Sequence, residues 1–307
     1  ILDCYPIKIM KSRIKSYAEL VKFRLTSTVV ATSSFGYIIA LQFTKGENWK
    51  DFFDWLLFAG VLIGGMFIVF AANGMNQIIE KENDGKMERT SNRPIVEERI
   101  SVAHARIFCW VTGLLGIVVL IITGATFLSV LLGGLSFVLY VFVYTPMKQV
   151  SPIAVMVGAI PGALPPLIGY SAVVPRLDEI GLILFLVQFF WQFPHFWSIG
   201  WSQNSDYEKA GFKMLPTGRK DKSTSAQILF YSIWAVLVSI IPFFGITGEL
   251  KLSVVGVLAV FALGALLIYK SYILFLDGKN ENAKKLMLTS VIYLTFIQLT
   301  FLFDKIF

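Results

Sequence analysis

The sequence predicts an all-α, polytopic integral membrane protein of about nine transmembrane helices, and three observations predict it. Of 307 residues, 56% are hydrophobic and only 15% are charged, too little charge to cover the surface of a soluble domain of this size. The apolar residues fall in blocks long enough to cross a bilayer core, about 20 residues as a helix. The basic residues cluster between alternate pairs of those blocks. Where no water is available each backbone amide must be satisfied within its own segment, which selects helices. The alternation of roughly ten-residue barrel strands is absent.

In chain order the apolar blocks place span 1 at 25–43, span 2 at 56–79, span 3 at 105–124, span 4 at 126–144 and span 5 at 152–173. Span 6 follows at 179–202, span 7 at 225–246, span 8 at 252–275 and span 9 at 286–304. Span 5 carries Pro161, Pro165 and Pro166 among Gly158, Gly162 and Gly169. Such residues bend a helix and let neighbours approach closely. No separate soluble domain fits, so 1–307 reads as one membrane domain. Its longest polar loops, near 81–104 and 203–224, follow spans 2 and 6, and Asp84 and Asp206 lie about four helices apart. That spacing suggests two related four-helix halves, about 20–150 and 151–275, plus a ninth helix.

The net charge of +7 raises the question of nucleic acid, and its distribution answers with topology. The N-terminal arm carries Lys8, Lys11, Arg13, Lys15, Lys22 and Arg24. Loop 2–3 and its edges carry Lys81, Lys86, Arg89, Arg93, Arg99 and Arg106. Loop 4–5 has Lys148, loop 6–7 has Lys209, Lys213, Arg219, Lys220 and Lys222, and loop 8–9 has Lys270, Lys279, Lys284 and Lys285. With nine spans these segments share one face, and the positive-inside bias makes it the cytoplasmic one, with the C-terminus outside. Cys4 and Cys109 are too few for a disulfide framework or a thiolate metal site, and two histidines, His104 and His195, exclude a His-rich one. No cleavable signal peptide is expected, because the first apolar block follows a basic arm and is itself long enough to span. Asp3 and Glu19 argue against a transit peptide, and Met10 is a more natural initiator than Ile1.

Two polar constellations interrupt this pattern. At the end of span 2, Asn73, Asn76, Glu80 and Asp84 are spaced 3, 4 and 4, on one face of a helix leaving the membrane. Like charges at i and i+4 repel, and polar groups within a bilayer are costly; a cation reverses the sign of that repulsion. Oxygen ligands of this kind suit Mg²⁺, a hard ion that prefers carboxylate plus substrate phosphate. Arg89 and Arg93 follow, with guanidinium forks suited to phosphate. At the end of span 6, Gln192, His195, Ser202 and Asp206 read as a second stripe. Tyr207 adjoins Asp206, and Lys209 and Lys213 are positioned to hold phosphate. Trp191, Phe193, Phe196, Trp197 and Trp201 line an apolar tunnel or form an interfacial belt.

At these stretches the sequence resembles the UbiA superfamily of intramembrane prenyltransferases, and within it the branch that farnesylates haem. The superfamily pattern Asn-x₃-Asp/Glu-x₃-Asp is met by Asn76, Glu80 and Asp84. Met87-Glu88-Arg89-Thr90-Ser91-Asn92-Arg93-Pro94 is similar to that branch's Met-x-Arg-Thr-x-x-Arg-Pro. So are Tyr144-Thr145-Pro146-Met147-Lys148, the Gly/Pro run of 158–169, Trp191-Gln192-x-Pro194-His195-Phe196, and Asp206-Tyr207-x-x-Ala210-Gly211-x-x-Met214-Leu215-Pro216. Glu80 replaces the more usual Asp, and Gln203, Asn204 and Ser205 stand where relatives often carry a charge, which leaves a second metal site thinner in carboxylates.

The resemblance implies a UbiA-type helical bundle and a Mg²⁺-dependent transfer of farnesyl from farnesyl diphosphate to the 2-vinyl group of haem B, giving haem O and pyrophosphate. It implies Asn76, Glu80, Asp84 and Asp206 at Mg²⁺, and Arg89, Arg93, Lys148 and Lys213 at the diphosphate. Asn73, Gln192, Trp191, Phe196, Tyr144 and Tyr207 would line the substrate pocket. It further implies a bacterial inner membrane rather than a mitochondrial one, active-site loops in the cytoplasm, and haem A synthase or cytochrome oxidase assembly factors downstream. His195, about 16 Å deeper than Asp206 along a continuous helix, would contact haem as an iron ligand, a propionate donor or a proton acceptor. Two rivals are a UbiA enzyme acting on a quinone precursor such as 4-hydroxybenzoate and a secondary transporter with span 5 as its broken helix.

Overall fold

In the computed structural model residues 13–304 are described; Cys4, Lys8, Met10 and Lys11 lie outside the described residues. Among the described residues nine helices are long and apolar enough to cross a membrane, and there is no strand. They are α1 (Phe23–Lys45), α2 (Trp55–Ile79), α3 (Val102–Ile122), α4 (Phe127–Val150), α5 (Ala154–Val173), α6 (Glu179–Ser202), α7 (Lys222–Ile240), α8 (Val254–Asp277) and α9 (Asn280–Phe303). The chain is an integral membrane protein. Its helix starts are written in the sequence as capping side chains: Asp54, Ser101, Thr126, Asp178, Asp221 and Ser253 each accept a hydrogen bond from an amide of the first turn. α1, α5 and α9 start without a side-chain cap, and α9 starts at Asn280 rather than near 286. Its polar first turn is helical because Lys285 pairs with Glu281 at 2.6 Å across i,i+4.

α5 is the hub. Most of its length is buried, and its glycines let α1 cross at backbone contact. A Cβ on Gly169 would sit 1.8 Å from the Ser33 carbonyl, and one on Gly36 would sit 1.9 Å from that of Pro166. The helix continues through all three prolines. α2 pairs with α3, while α6 is flanked by α5, α7 and α9. The core takes in Phe35 and Ile39 of α1, Leu164 and Leu167 of α5, and Phe193 and Trp197 of α6, the last two packed on Tyr231 of α7. Ile107, Leu114, Ile122, Phe127, Leu131, Leu258 and Phe261 are exposed on the outer helix faces, as lipid-facing positions require.

Polar ties separate the two ends. At one end the Tyr37 hydroxyl donates to the Asp54 carbonyl at 3.0 Å, the Gln42 amide donates to Leu302 at 3.3 Å, and the Asp304 carboxylate accepts from Ser253 at 2.6 Å. At the other, Arg99 of loop 2–3 pairs with Glu19 of the helical segment 13–20 at 2.7 Å, Lys148 meets Glu80, and Lys220 meets Asn280. The Lys- and Arg-rich segments are therefore gathered at one end of the bundle.

Candidate active site at the charged end of the bundle

The site begins with a break in the chain before α1. The helical segment 13–20 stops at Val21, and Lys22 takes φ 49, ψ 54, a left-handed conformation that costs a side-chain-bearing residue about 1–2 kcal/mol. Two amides buried near the end of α2 satisfy the carbonyls exposed by that break. Asn73 donates to the Val21 carbonyl at 3.1 Å and to the Thr26 hydroxyl at 3.2 Å. Gln77 donates to Leu20 at 2.8 Å and Glu19 at 3.1 Å. Asn73, expected in the pocket lining, thus spends its amide on the kink. The kink turns the Lys22 ammonium inward, where it donates to Asn76 Oδ1 at 3.1 Å. Burial, then the charges of Arg93 and Lys148, push the Lys22 ammonium down to about 7.

Asn76, Glu80 and Asp84 keep one stripe although α2 ends at Ile79. The Glu80 amide bonds the Asn76 carbonyl at 3.0 Å, and the Asp84 amide bonds Glu80 at 2.7 Å, so the i,i+4 ladder continues through the helical turn Lys81–Asp84. Each carboxylate is answered by a cation. Lys148 Nζ donates to Glu80 Oε1 at 2.8 Å and lies 4.5 Å from the Tyr144 ring centroid. Arg93 donates to Asp84 Oδ2 at 2.5 Å. Lys148 is placed by a π-helical stretch, Leu139–Tyr144, just before Pro146; Pro146 lacks the amide that would continue the α ladder. Asp84 is fully buried, and burial pushes its carboxyl above the usual range against the pull of Arg93. Among the described residues three buried side-chain polar atoms lack a hydrogen-bond partner, and Asp84 Oδ1 is the one carboxylate oxygen.

The second constellation arrives by another route. α6 ends at Ser202, Gln203 leaves the helix, and Asn204–Lys209 forms a separate turn and a half. Asp206 accepts from the Glu88 and Arg89 amides at 3.4 and 3.3 Å, with Lys209 3.7 Å away. Arg89 donates to the Tyr207 hydroxyl at 3.4 Å. Asn83 clamps the loops: its amide donates to the Ala210 carbonyl at 2.7 Å while its oxygen accepts from Gln149 at 2.8 Å. Gly211 closes the turn at φ 74, which favours glycine. Lys213 reaches away from the carboxylates: Nζ donates to the Val150 carbonyl at 3.1 Å and its amide to Lys148 at 2.8 Å.

The expected stripe of Gln192, His195, Ser202 and Asp206 does not form. The break at Gln203 interrupts it, and its inner members diverge, so the 16 Å rise reckoned for a continuous helix does not apply. Gln192 turns to α5, donating to Ala159 at 2.9 Å beside Gly162. His195 turns to α9, where Nδ1 lies 2.9 Å from Ser290 Oγ. Trp191 stacks on the imidazole at 4.6 Å between centroids, with Phe196 5.3 Å away.

Periodicity missed Lys22, Asn83, Thr145 and Ser290. Lys22 carried only a topological signal; Thr145, which accepts from the Asn76 amide at 3.3 Å, carried its place in the Tyr144–Lys148 string. Asn83 and Ser290 meet partners too distant in sequence to be seen. No three His, Cys, Asp or Glu side chains converge as a ready-made metal cage among the described residues. Asn76, Glu80, Asp84 and Asp206 could still offer hard oxygens to an ion, and Asp84 Oδ1 is buried without a partner. That suits an ion completed by water and substrate phosphate. Charge-assisted pairs with Lys148 and Arg93 hold the same carboxylates.

Known proteins resemble the chain in sequence and in fold. The sequence model of the UbiA prenyltransferase family matches residues 48–297. The protoheme IX farnesyltransferase of Christiangramia forsetii is 42% identical over 294 residues, spanning 96% of this chain and 94% of that protein. That of Flavobacterium johnsoniae is 40% identical over 296 residues, spanning 96% of each. Among solved structures, one of digeranylgeranylglyceryl phosphate synthase superposes with a TM-score of 0.75 at 20% identity, covering 96% of this chain and 99% of that one. A UbiA homologue from Archaeoglobus fulgidus bound to GPP and Mg²⁺ superposes with a TM-score of 0.58 at 16% identity, covering 93% and 99%. These structural likenesses show the fold.

Proposed function

The chain belongs to the UbiA prenyltransferase family, and from that premise we propose that it transfers the farnesyl group of farnesyl diphosphate to the 2-vinyl group of haem B, releasing pyrophosphate and giving haem O. It is an intramembrane prenyltransferase. The observation that carries the assignment of the site is the meeting of the two loops. Glu80, Asp84 and Asp206 gather with Lys22, Arg89, Arg93 and Lys148 at one end of a lipid-soluble bundle. A diphosphate needs that mixture of hard oxygens and cations, and a prenyl tail needs the apolar bundle beside it.

Asn76, Glu80, Asp84 and Asp206 would hold Mg²⁺; the orphaned Asp84 Oδ1 supports this, as do the homologues bound to GPP or DMAPP with Mg²⁺. When bound, Mg²⁺ supplies positive charge that stabilises the leaving diphosphate. Lys148 and Arg93, now paired with Glu80 and Asp84, exchange carboxylate for phosphate oxygen as the donor enters. Arg89 and Lys22 add further charge, and Lys213 acts by fixing the turn of Lys148. The allylic C–O bond then breaks, and both its electrons leave with pyrophosphate. Trp191, Phe196, Tyr144 and Tyr207 exclude water from the farnesyl cation. The haem vinyl π electrons form the new C–C bond. Water adds to the resulting haem-side cation and loses a proton, leaving a hydroxyethylfarnesyl chain.

The gathered loops take the cytoplasmic face of a bacterial inner membrane under the positive-inside bias. The decisive experiment incubates purified protein with haem B, farnesyl diphosphate and Mg²⁺ and weighs the haem. The expected product has gained a farnesyl group and a hydroxyl. Recovery of unmodified haem, with a prenylated product when 4-hydroxybenzoate is supplied in its place, would overturn the reading in favour of a quinone precursor.

A further inference from the structure

Three roles are open to His195 if haem is the acceptor, and the hydrogen bonds around the ring discriminate among them. His195 Nδ1 lies 2.9 Å from Ser290 Oγ. That hydroxyl has one proton and gives it to the Met287 carbonyl at 2.6 Å. A hydroxyl whose proton is committed can only accept from its other neighbour. Nδ1 is therefore the protonated nitrogen, and in the neutral imidazole Nε2 carries the lone pair. Trp191 fixes the plane of the ring, stacking on it at 4.6 Å and 19° while its indole N–H donates to the Ser290 carbonyl at 2.5 Å. One turn of α9 thus determines both tautomer and orientation.

This arrangement is ill suited to two of the roles. A propionate needs a donor, and the ring's one N–H is already spent on Ser290. A general base becomes an imidazolium, which in an apolar span needs a carboxylate partner; His195 is held by a hydroxyl and a ring face instead. A neutral imidazole whose Nδ1–H is anchored by an oxygen is the arrangement that orients a histidine toward a metal. We propose that Ser290 is a positioning residue that holds His195 as its Nδ1–H tautomer, so that Nε2 ligates the iron of the haem substrate and seats the porphyrin for transfer. The step forms one dative Nε2–Fe bond with no change of oxidation state. It rests on the haem reading above and says how that substrate is held.

The test uses the full-length protein in detergent with haem B as the probe. The wild-type complex is expected to show the absorption and paramagnetic resonance of an imidazole-ligated ferric haem, and His195→Ala to lose that signature. Ser290→Ala is expected to weaken haem binding about tenfold or more, the usual cost of removing the partner that orients a ligating histidine. The KM for farnesyl diphosphate should stay unchanged, and Ser290→Thr should restore haem binding. An axial signature that survives His195→Ala overturns the inference. So does Ser290→Ala with undiminished haem affinity. Should Ser290→Ala not fold, ¹⁵N resonance of the histidine rings decides the tautomer without touching Ser290. In a His104→Ala background only His195 contributes, and a protonated Nε2 overturns the proposal. Haem O formation by the wild type separates the two readings. Product without His195 ligation removes this inference alone, and no product removes the haem assignment with it.

Discussion

The loop after α2 and the loop after α6 bring carboxylates to the same end of the bundle by different physical means. In the first, Glu80 and Asp84 are buried and each is answered by a side-chain cation, Lys148 at 2.8 Å and Arg93 at 2.5 Å. In the second, Asp206 is held by two backbone amides of the first loop, with its nearest lysine at 3.7 Å. Side-chain cations can trade partners when a polyanion arrives; backbone amides cannot leave. On the function proposed above, the first loop would exchange charge and the second would close over it. Asp206 does two things at once, presenting a carboxylate and docking the loops.

The largest effect should come from the first loop. Asp84→Asn should lower kcat by about a hundredfold or more, roughly 2.7 kcal/mol of barrier, measured as haem O formed per enzyme. Arg93→Ala should cost stability as well, about 3–5 kcal/mol, because it leaves a buried carboxylate unpaired. The double variant Asp84→Asn, Arg93→Gln should recover most of that loss in a thermal melt while remaining inactive. Recovery of activity in the double variant would remove the charge-exchange account. Glu80→Gln and Asp206→Asn should each cost about tenfold in turnover, roughly 1.4 kcal/mol. If Asp206→Asn matched Asp84→Asn, the two loops would not differ in kind.

That asymmetry also marks how far the molecule could be read from its sequence. The helical class, the spans to within a few residues and the family were legible, because bilayer length and local strings carry them. The Asn76–Glu80–Asp84 stripe was legible because the hydrogen-bond ladder runs on past the end of α2, so helical spacing still applied. It failed after α6, where Pro194 and Gly200 lie inside the helix and the break comes later, at Gln203. It failed again at Lys22, whose left-handed φ sits on a residue type that rarely adopts it. Asn73 misled for a related reason. A polar residue in a span is a fair sign of function, but this one satisfies backbone exposed by a kink that cannot be seen in advance. Contacts such as His195 to Ser290 join helices far apart in the chain, which neither periodicity nor composition reports.

A smaller effect tests the docking itself. Asn83 holds the Ala210 carbonyl and accepts from Gln149, yet lies outside the acidic stripe. Asn83→Ala should remove about 1 kcal/mol of loop closure, a few-fold in turnover. Limited proteolysis between residues 203 and 221 should quicken by a similar factor. Turnover falling as far as in Asp206→Asn would mean that Asp206 acts mainly by docking.

The smallest effect is one of pH, and it distinguishes the first loop from the second because Lys22 donates to Asn76 and lies among the charges of Arg93, Lys148, Glu80 and Asp84. Its ammonium is pushed down from 10.5 to about 7, by burial first and then by Arg93 and Lys148. The folded pKa lies below the unfolded one, so between about 7 and 10.5 the unfolded chain binds more protons than the folded chain. The contribution of this group to stability therefore rises with pH across that window. Anion binding runs the other way. Below about 7 Lys22 is charged and attracts a diphosphate; above it the neutral amine does not. Inorganic pyrophosphate should bind the resting enzyme a few-fold more tightly at about pH 6 than at about pH 8.5, beyond the change due to its own ionisation. Lys22→Arg, charged throughout, should flatten that excess dependence, and Asp206→Asn should leave it in place. A dependence that persists in Lys22→Arg would move the titrating group elsewhere and leave Lys22 a structural member of the kink.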